Sequence, residues 1–153
     1  MEQKNILSQE AAVEKLMNQD SLASMMVRGR IYIPDWKTDH DVNMCEVNCF
    51  GDIVLGGAVI NGTVYVRGAI IKGNLYLDSA LIKGYLILSG TSVEGKLDLD
   101  GASIGGDLYL EKVAVKGSIN LSFKSGPRKI FVSPDMAELV HWAAPIIPLV
   151  VVR

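Results

Sequence analysis

Cysteine is scarce in this chain: Cys45 and Cys49 are its only two. Two thiols do not make the disulfide framework of a small secreted domain. A reducing cytoplasm is therefore the expected compartment, and secretion as an effector is compatible with the same composition. An excess of charge is missing as well. Fifteen Lys and Arg stand against 17 Asp and Glu, a formal net charge of −2, whereas a dedicated nucleic-acid binder carries a basic stripe. Long hydrophobic runs are absent too. The longest apolar stretch, PIIPLVVV, is broken by two prolines and falls well short of the ~20 residues that span a bilayer. The opening MEQKNILSQE has no apolar h-region, so no secretory signal is expected. G-x-S-x-G, P-loop and dinucleotide fingerprints do not occur, which removes the commonest sequence signatures of catalysis.

What the chain does have is glycine at a fixed interval. Its 153 residues suit one domain, and 49% hydrophobic with 21% charged residues is an ordered, globular balance. Glycines fall at 51, 62, 73, 84, 95, 106 and 117, eleven apart each time. Two positions after each come Ile53, Val64, Leu75, Leu86, Leu97, Leu108 and Ile119; four after come Leu55, Val66, Leu77, Leu88, Leu99, Leu110 and Leu121. Seven and nine after come pairs such as Ala58/Ile60, Ala69/Ile71, Ala80/Ile82 and Ala102/Ile104. The consensus is G-x-L-x-L-x-x-A-x-I-x, and it extends more weakly back to Gly29.

An eleven-residue apolar period also suits a right-handed helical supercoil. A glycine in every repeat costs a helix about 1 kcal/mol each, and the L-x-L and A-x-I pairs alternate with the period of a strand. Each repeat therefore reads as a short strand, a corner, a shorter strand and a second corner. The glycine corner is expected to need positive φ. A coil of one repeat leaves no room for Leu and Ile inside, so two repeats form one coil. Residues 29–121 then make about four coils, roughly 20 Å long at the ~4.8 Å spacing of neighbouring strands.

The inward pairs resemble those of the pentapeptide-repeat family, in which a small residue and a Leu or Phe two apart point into a quadrilateral coil. The stretch GNLYLDSALIKGYLILSGTSVEGKLDLDGASIGGDLYL is also similar to bactofilins, the β-helical cytoskeletal polymers of bacteria. Either resemblance implies a right-handed β-helix, and the second implies a polymer. The fold expected is an all-β solenoid with three segments: an N-terminal helical cap over 1–28, the solenoid over 29–121, and a C-terminal helix and strand over 122–153.

The end segments read as covers for open coils. Ser8 caps a helix with Glu10 in its first turn. Val13, Leu16 and Met17 share one face, and Leu22, Met25 and Met26 resume the helix until Gly29. A partner-binding amphipathic helix is the alternative. After Leu121 the repeat stops at Ser125-Gly126-Pro127. Ser133-Pro134-Asp135 opens a second helix reaching Ala144, and Leu149 to Val152 form a strand that pairs with the solenoid or with another copy.

The outward positions carry the functional signal. Val54, Tyr65, Tyr76, Ile87 and Tyr109 occupy one outward position of the repeat, and Val59, Ile70 and Leu81 another. The second half of the rod is mostly polar there. With two repeats per coil, Tyr65, Ile87 and Tyr109 stack on one face and Val59 and Leu81 on another. These eight residues are the expected interaction surface.

Chemistry has weaker candidates. His40, Asp41, Cys45 and Cys49 match no zinc spacing. His141 beside Trp142 reads as a packed or surface residue. Asp98 and Asp100 are the acids that a glycan-active enzyme would use. A DNA mimic needs an anionic rod, but residues 51–117 hold seven acids against six bases. Lys124, Arg128 and Lys129 read as a solvated loop. The chain is expected to be a non-catalytic scaffold without metal or cofactor. Its partner is itself or another protein, as for a bacterial effector or inhibitor.

Overall fold

The computed structural model describes residues 5–153. The alternating pattern folds into two- and three-residue strands collected in four parallel sheets of six, five, four and six strands. Sheet A holds Ile6–Leu7, Met26–Val27, Asn48–Cys49, Ile70–Ile71, Ser92–Val93 and Ala114–Val115. Sheet B runs from Ile31–Tyr32 through Ile53–Val54, Leu75–Tyr76 and Leu97–Asp98 to Ile119–Asn120, and sheet C from Lys37–Thr38 through Val59–Ile60 and Leu81–Ile82 to Ser103–Ile104. Sheet D runs from Val42–Asn43 through Val64–Tyr65, Leu86–Ile87, Leu108–Leu110 and Ile130–Val132 to Leu149–Val151. The chain visits the four sheets in turn. Ile53 is paired with Leu75 and Val64 with Leu86, so backbone partners lie one full circuit apart.

Hydrophobic burial drives the winding. Every inward residue from Ile53 to Ile82 is at most 1% exposed, and the four walls enclose one continuous core. Thr91 stands where other coils carry alanine, and its buried hydroxyl donates to the Val66 carbonyl.

Two glycine columns serve different purposes, which corrects the expected role of the regular one. None of Gly51, Gly62, Gly73, Gly84, Gly95, Gly106 and Gly117 has positive φ. They are needed for close approach. A Cβ on Gly84 would lie 2.7 Å from the Gly62 carbonyl oxygen, and the Gly84 N–H donates to that same oxygen at 2.9 Å. The left-handed turn falls six residues later, as at Gly90 with φ 73°; non-glycine residues also occupy it, as at Ser79 with φ 57°.

Beside the glycines, side chains extend the backbone ladder. Asp52 Oδ1 accepts from the Asn74 N–H at 2.7 Å, and Asn74 Oδ1 accepts from the Lys96 N–H at 2.8 Å. On the next corner Asp41 Oδ1 accepts from Thr63 N–H and Thr63 Oγ accepts from Tyr85 N–H. Residues that look like surface acids are thereby spent on holding coils together.

Each end closes with a helix. Helix α1, Gln9–Met17, is capped by Ser8, whose Oγ accepts from the Ala11 N–H at 3.1 Å. It packs against Ile31–Tyr32 and buries Ala12 and Leu16, whereas Met17 faces solvent. The expected second helical segment is absent. Gln19 and Ser24 take positive φ, the Leu22 and Ser24 N–H groups donate to the Asn43 and Cys45 carbonyls, and Met26–Val27 pair with Asn48–Cys49. Leu22 gains more by lining the coil, where it is fully buried, than it would on a surface helix.

At the other end the parallel ladder continues past Leu121. Ile130–Val132 pair with Leu108–Leu110, and Leu149–Val151 pair in turn with Ile130–Val132. Helix α2, Pro134–Ala143, joins these last two strands and buries Met136 and Val140. Ser133 does not cap it through its side chain; its Oγ accepts instead from the Lys112 N–H at 2.6 Å.

The two glycine roles are separable by substitution. Gly84→Ala is expected to lose about 1–3 kcal/mol, the range for overpacking against atoms that cannot yield. Gly90→Asn, with a residue that tolerates the left-handed region, should change stability by less than about 1 kcal/mol. Urea unfolding monitored by circular dichroism checks both, and equal losses would contradict the assignment.

Candidate interaction surface

Outside the coils, each sheet presents one row of side chains. On sheet D the row is Asn43, Tyr65, Ile87, Tyr109, Phe131 and Val150, in successive register. The Tyr109 and Phe131 rings stack in parallel with centroids 4.5 Å apart, and Tyr85 meets Tyr109 edge to face at 6.2 Å. Lys129 Nζ lies 5.6 Å from the Phe131 ring centroid. Stacked and edge-to-face arrangements match the charge distribution of aromatic rings. Ile87, between two tyrosines, is only 9% exposed. Burial, followed by the nearby Asp107 carboxylate, raises the pKa of the Tyr109 phenol.

The eight expected residues do not form one patch. Tyr65, Ile87 and Tyr109 lie together on sheet D. Val59 and Leu81 are neighbours on sheet C, and Val54 and Tyr76 on sheet B. Ile70 stands on sheet A between Asn48 and Ser92, both polar. The expected polar second half holds on sheet B, where Asp98 and Asn120 follow Tyr76. On sheet D the apolar row runs on beyond residue 121, through Phe131 to Val150.

Phe131, Tyr85 and Val150 were not among the expected surface residues. The signal for Phe131 is in the sequence: Ile130 and Val132 continue the eleven-residue steps from Ile119 and Leu121, but Arg128 stands where the glycine should be.

A second apolar surface, absent from the sequence expectation, lies on the C-terminal cap. Leu139, Trp142 and Ile146 are exposed, the last two by 76% and 94%, as are Val150, Val151 and Val152. Leu139 and Trp142 are three apart on α2, on the side away from Met136 and Val140.

The candidates for chemistry do not converge. His40 is exposed, and Asp41 is engaged with the Thr63 N–H. Cys49 is buried with its Sγ 3.1 Å from the Gly29 carbonyl oxygen, and burial raises its thiol pKa. Among the described residues, no group of three or more His, Cys, Asp or Glu is placed to hold a metal ion. Asp98 Oδ1 accepts from the Asp100 N–H at 3.0 Å, a local turn bond. His141 is exposed, with its ring centroid 6.5 Å from that of Trp142. Lys124, Arg128 and Lys129 are exposed. An open groove of about 500 Å³ lies beside α1, between Glu10, Met17, Arg30 and Tyr32. No described helix is long and apolar enough to cross a membrane.

The outer rows differ in how much they support the fold. Ile87→Glu should cost about 2–3 kcal/mol, the value of a buried aliphatic side chain. Ile70→Glu, at a 43% exposed site, should cost less than about 1 kcal/mol. Thermal and urea unfolding of both variants read the difference directly. Compared with protein-family models, curated proteins and solved structures, the chain finds no match.

Proposed function

We propose that this chain is a non-catalytic solenoid scaffold that associates with copies of itself. The observation that carries the proposal is the apolar row of sheet D, Tyr65, Ile87, Tyr109, Phe131 and Val150, which crosses five strands without a charged residue. Contiguous apolar surface of this kind marks an interaction site more often than it marks solvated surface. The side rows add Val54, Tyr76, Val59 and Leu81, while Ile70 contributes alone. We further propose an eleven-residue unit used twice per coil and a right-handed winding, the latter implied by the pentapeptide-repeat resemblance.

The bonding of the polar groups also favours a scaffold. Asp41, Asp52, Asn74 and Thr63 bridge neighbouring coils, and Asp98 closes a turn. A catalytic carboxylate pair needs a cleft and freedom to exchange protons, and these groups are committed to backbone N–H donors.

Light-scattering mass on a sizing column, across a wide dilution range, tests the proposal. A multiple of 16.6 kDa is the expected result. A 16.6 kDa particle at every concentration would contradict self-association and point to a different protein as the occupant of the apolar row.

A further inference from the structure

The C-terminal end of the rod is an unfinished surface of two parts. Among the described residues, Leu149–Val151 is the last strand of sheet D, with a neighbour on one side only. The Ile130 N–H donates to the Pro148 carbonyl, and the Val152 N–H donates to the Val132 carbonyl. By strand alternation, the N–H and C=O groups of Leu149 and Val151 point away from the sheet. They form a free hydrogen-bonding edge in the uncharged segment Leu149–Val152. Edges of this kind pair with other strands unless a charge, a proline or a cover prevents it. Beside the edge lies α2, which packs on this strand and exposes Leu139 and Trp142, followed by Ile146.

Resting on the self-association proposed above, but placing the contact at the C-terminal end of the sheet D row, at Val150, rather than at Tyr65, we infer that two copies join end to end about a two-fold axis at this surface. The occupant is a second copy because the edge is self-complementary. In an antiparallel pairing about a two-fold, Leu149 meets the partner's Val151, and Val151 meets the partner's Leu149. Each pair exchanges N–H···O=C bonds, and Val150 faces its own image. Val150 continues the row of Tyr109 and Phe131, so the apolar face of sheet D runs unbroken from one copy into the next.

The area is also of the right order. A large aromatic side chain carries about 150–250 Å², so Trp142, 76% exposed, alone offers more than half of that. Leu139, Ile146 and the three valines bring the end toward the ~800 Å² per partner of a standard stable interface. No charged side chain lies within Leu149–Val152 to oppose its own image.

The experiment is light-scattering mass and sedimentation equilibrium on the full chain and three variants. Trp142→Lys with Ile146→Lys places charge at highly exposed positions. Val151→Pro removes an outward N–H and leaves the Val152 bond to Val132 in place. Tyr65→Lys alters the side face alone. Circular dichroism and thermal unfolding establish that each variant is folded. Both end variants should weaken the dimer at least roughly tenfold, a 1.4 kcal/mol change, while Tyr65→Lys leaves it intact. A dimer that survives either end variant, or that Tyr65→Lys alone dissolves, overturns the end-to-end joint and leaves self-association standing. A wild-type chain that is monomeric at every concentration overturns both and leaves the end for another protein.

Discussion

The contact on which the rest of the structure depends is the approach of one glycine to the glycine of the coil before it. Gly73, Gly95 and Gly117 follow Gly51 in one column, and Gly84 and Gly106 follow Gly62 in another, with each N–H donating to the carbonyl of the glycine before it. A Cβ on Gly95 would lie 2.9 Å from the Gly73 carbonyl oxygen and closer still to the Asn74 side chain. Without a side chain at these corners the coils stack at backbone distance. The strands between them are only two or three residues long and would be unstable alone; in register along the rod they form continuous ladders. Inward Leu, Ile and Val then find the same neighbours in every coil, and burial supplies the main driving force.

That regularity determines what the surface can do. Every strand has one inward and one outward side, so each sheet presents its outward side chains as rows. Polar residues at the corners are recruited into the ladder, as Asp52, Asn74 and Thr63 are. What the surface offers to a partner therefore lies on the outer rows and at the two ends. The ends are not equivalent. At the first, α1 covers the opening and Gln9 reaches the Arg30 N–H. At the second, α2 covers the core yet leaves Trp142 and Ile146 in solvent beside an open strand edge.

Most of the solenoid was legible because period-two burial and an eleven-residue glycine spacing are both local, repeated signals. The stacking of Tyr65, Ile87 and Tyr109 followed from the same arithmetic. The misreadings have physical causes. Leu22, Met25 and Met26 have helical spacing, but they precede a coil whose partners, Asn43 to Cys49, lie too far along the chain for a local pattern to reveal. The regular glycines suggested a left-handed turn because glycine is commonest there; close approach between backbones leaves the same residue and no other trace in the sequence. Phe131 was hidden by Arg128 in a glycine position. The exposed side of α2 was hidden because Met136, Val140, Leu139 and Trp142 are all apolar, and only packing decides which pair faces the core.

The central claim is that this rod is a building block whose copies meet at the C-terminal end. Small-angle X-ray scattering on the full chain measures it most directly, through the maximum dimension and cross-section of the particle in solution. End-to-end joining predicts a dimer of nearly twice the length of one rod and the same cross-section. A particle of single-rod length at all concentrations, or a dimer of single-rod length with a widened cross-section, would contradict it.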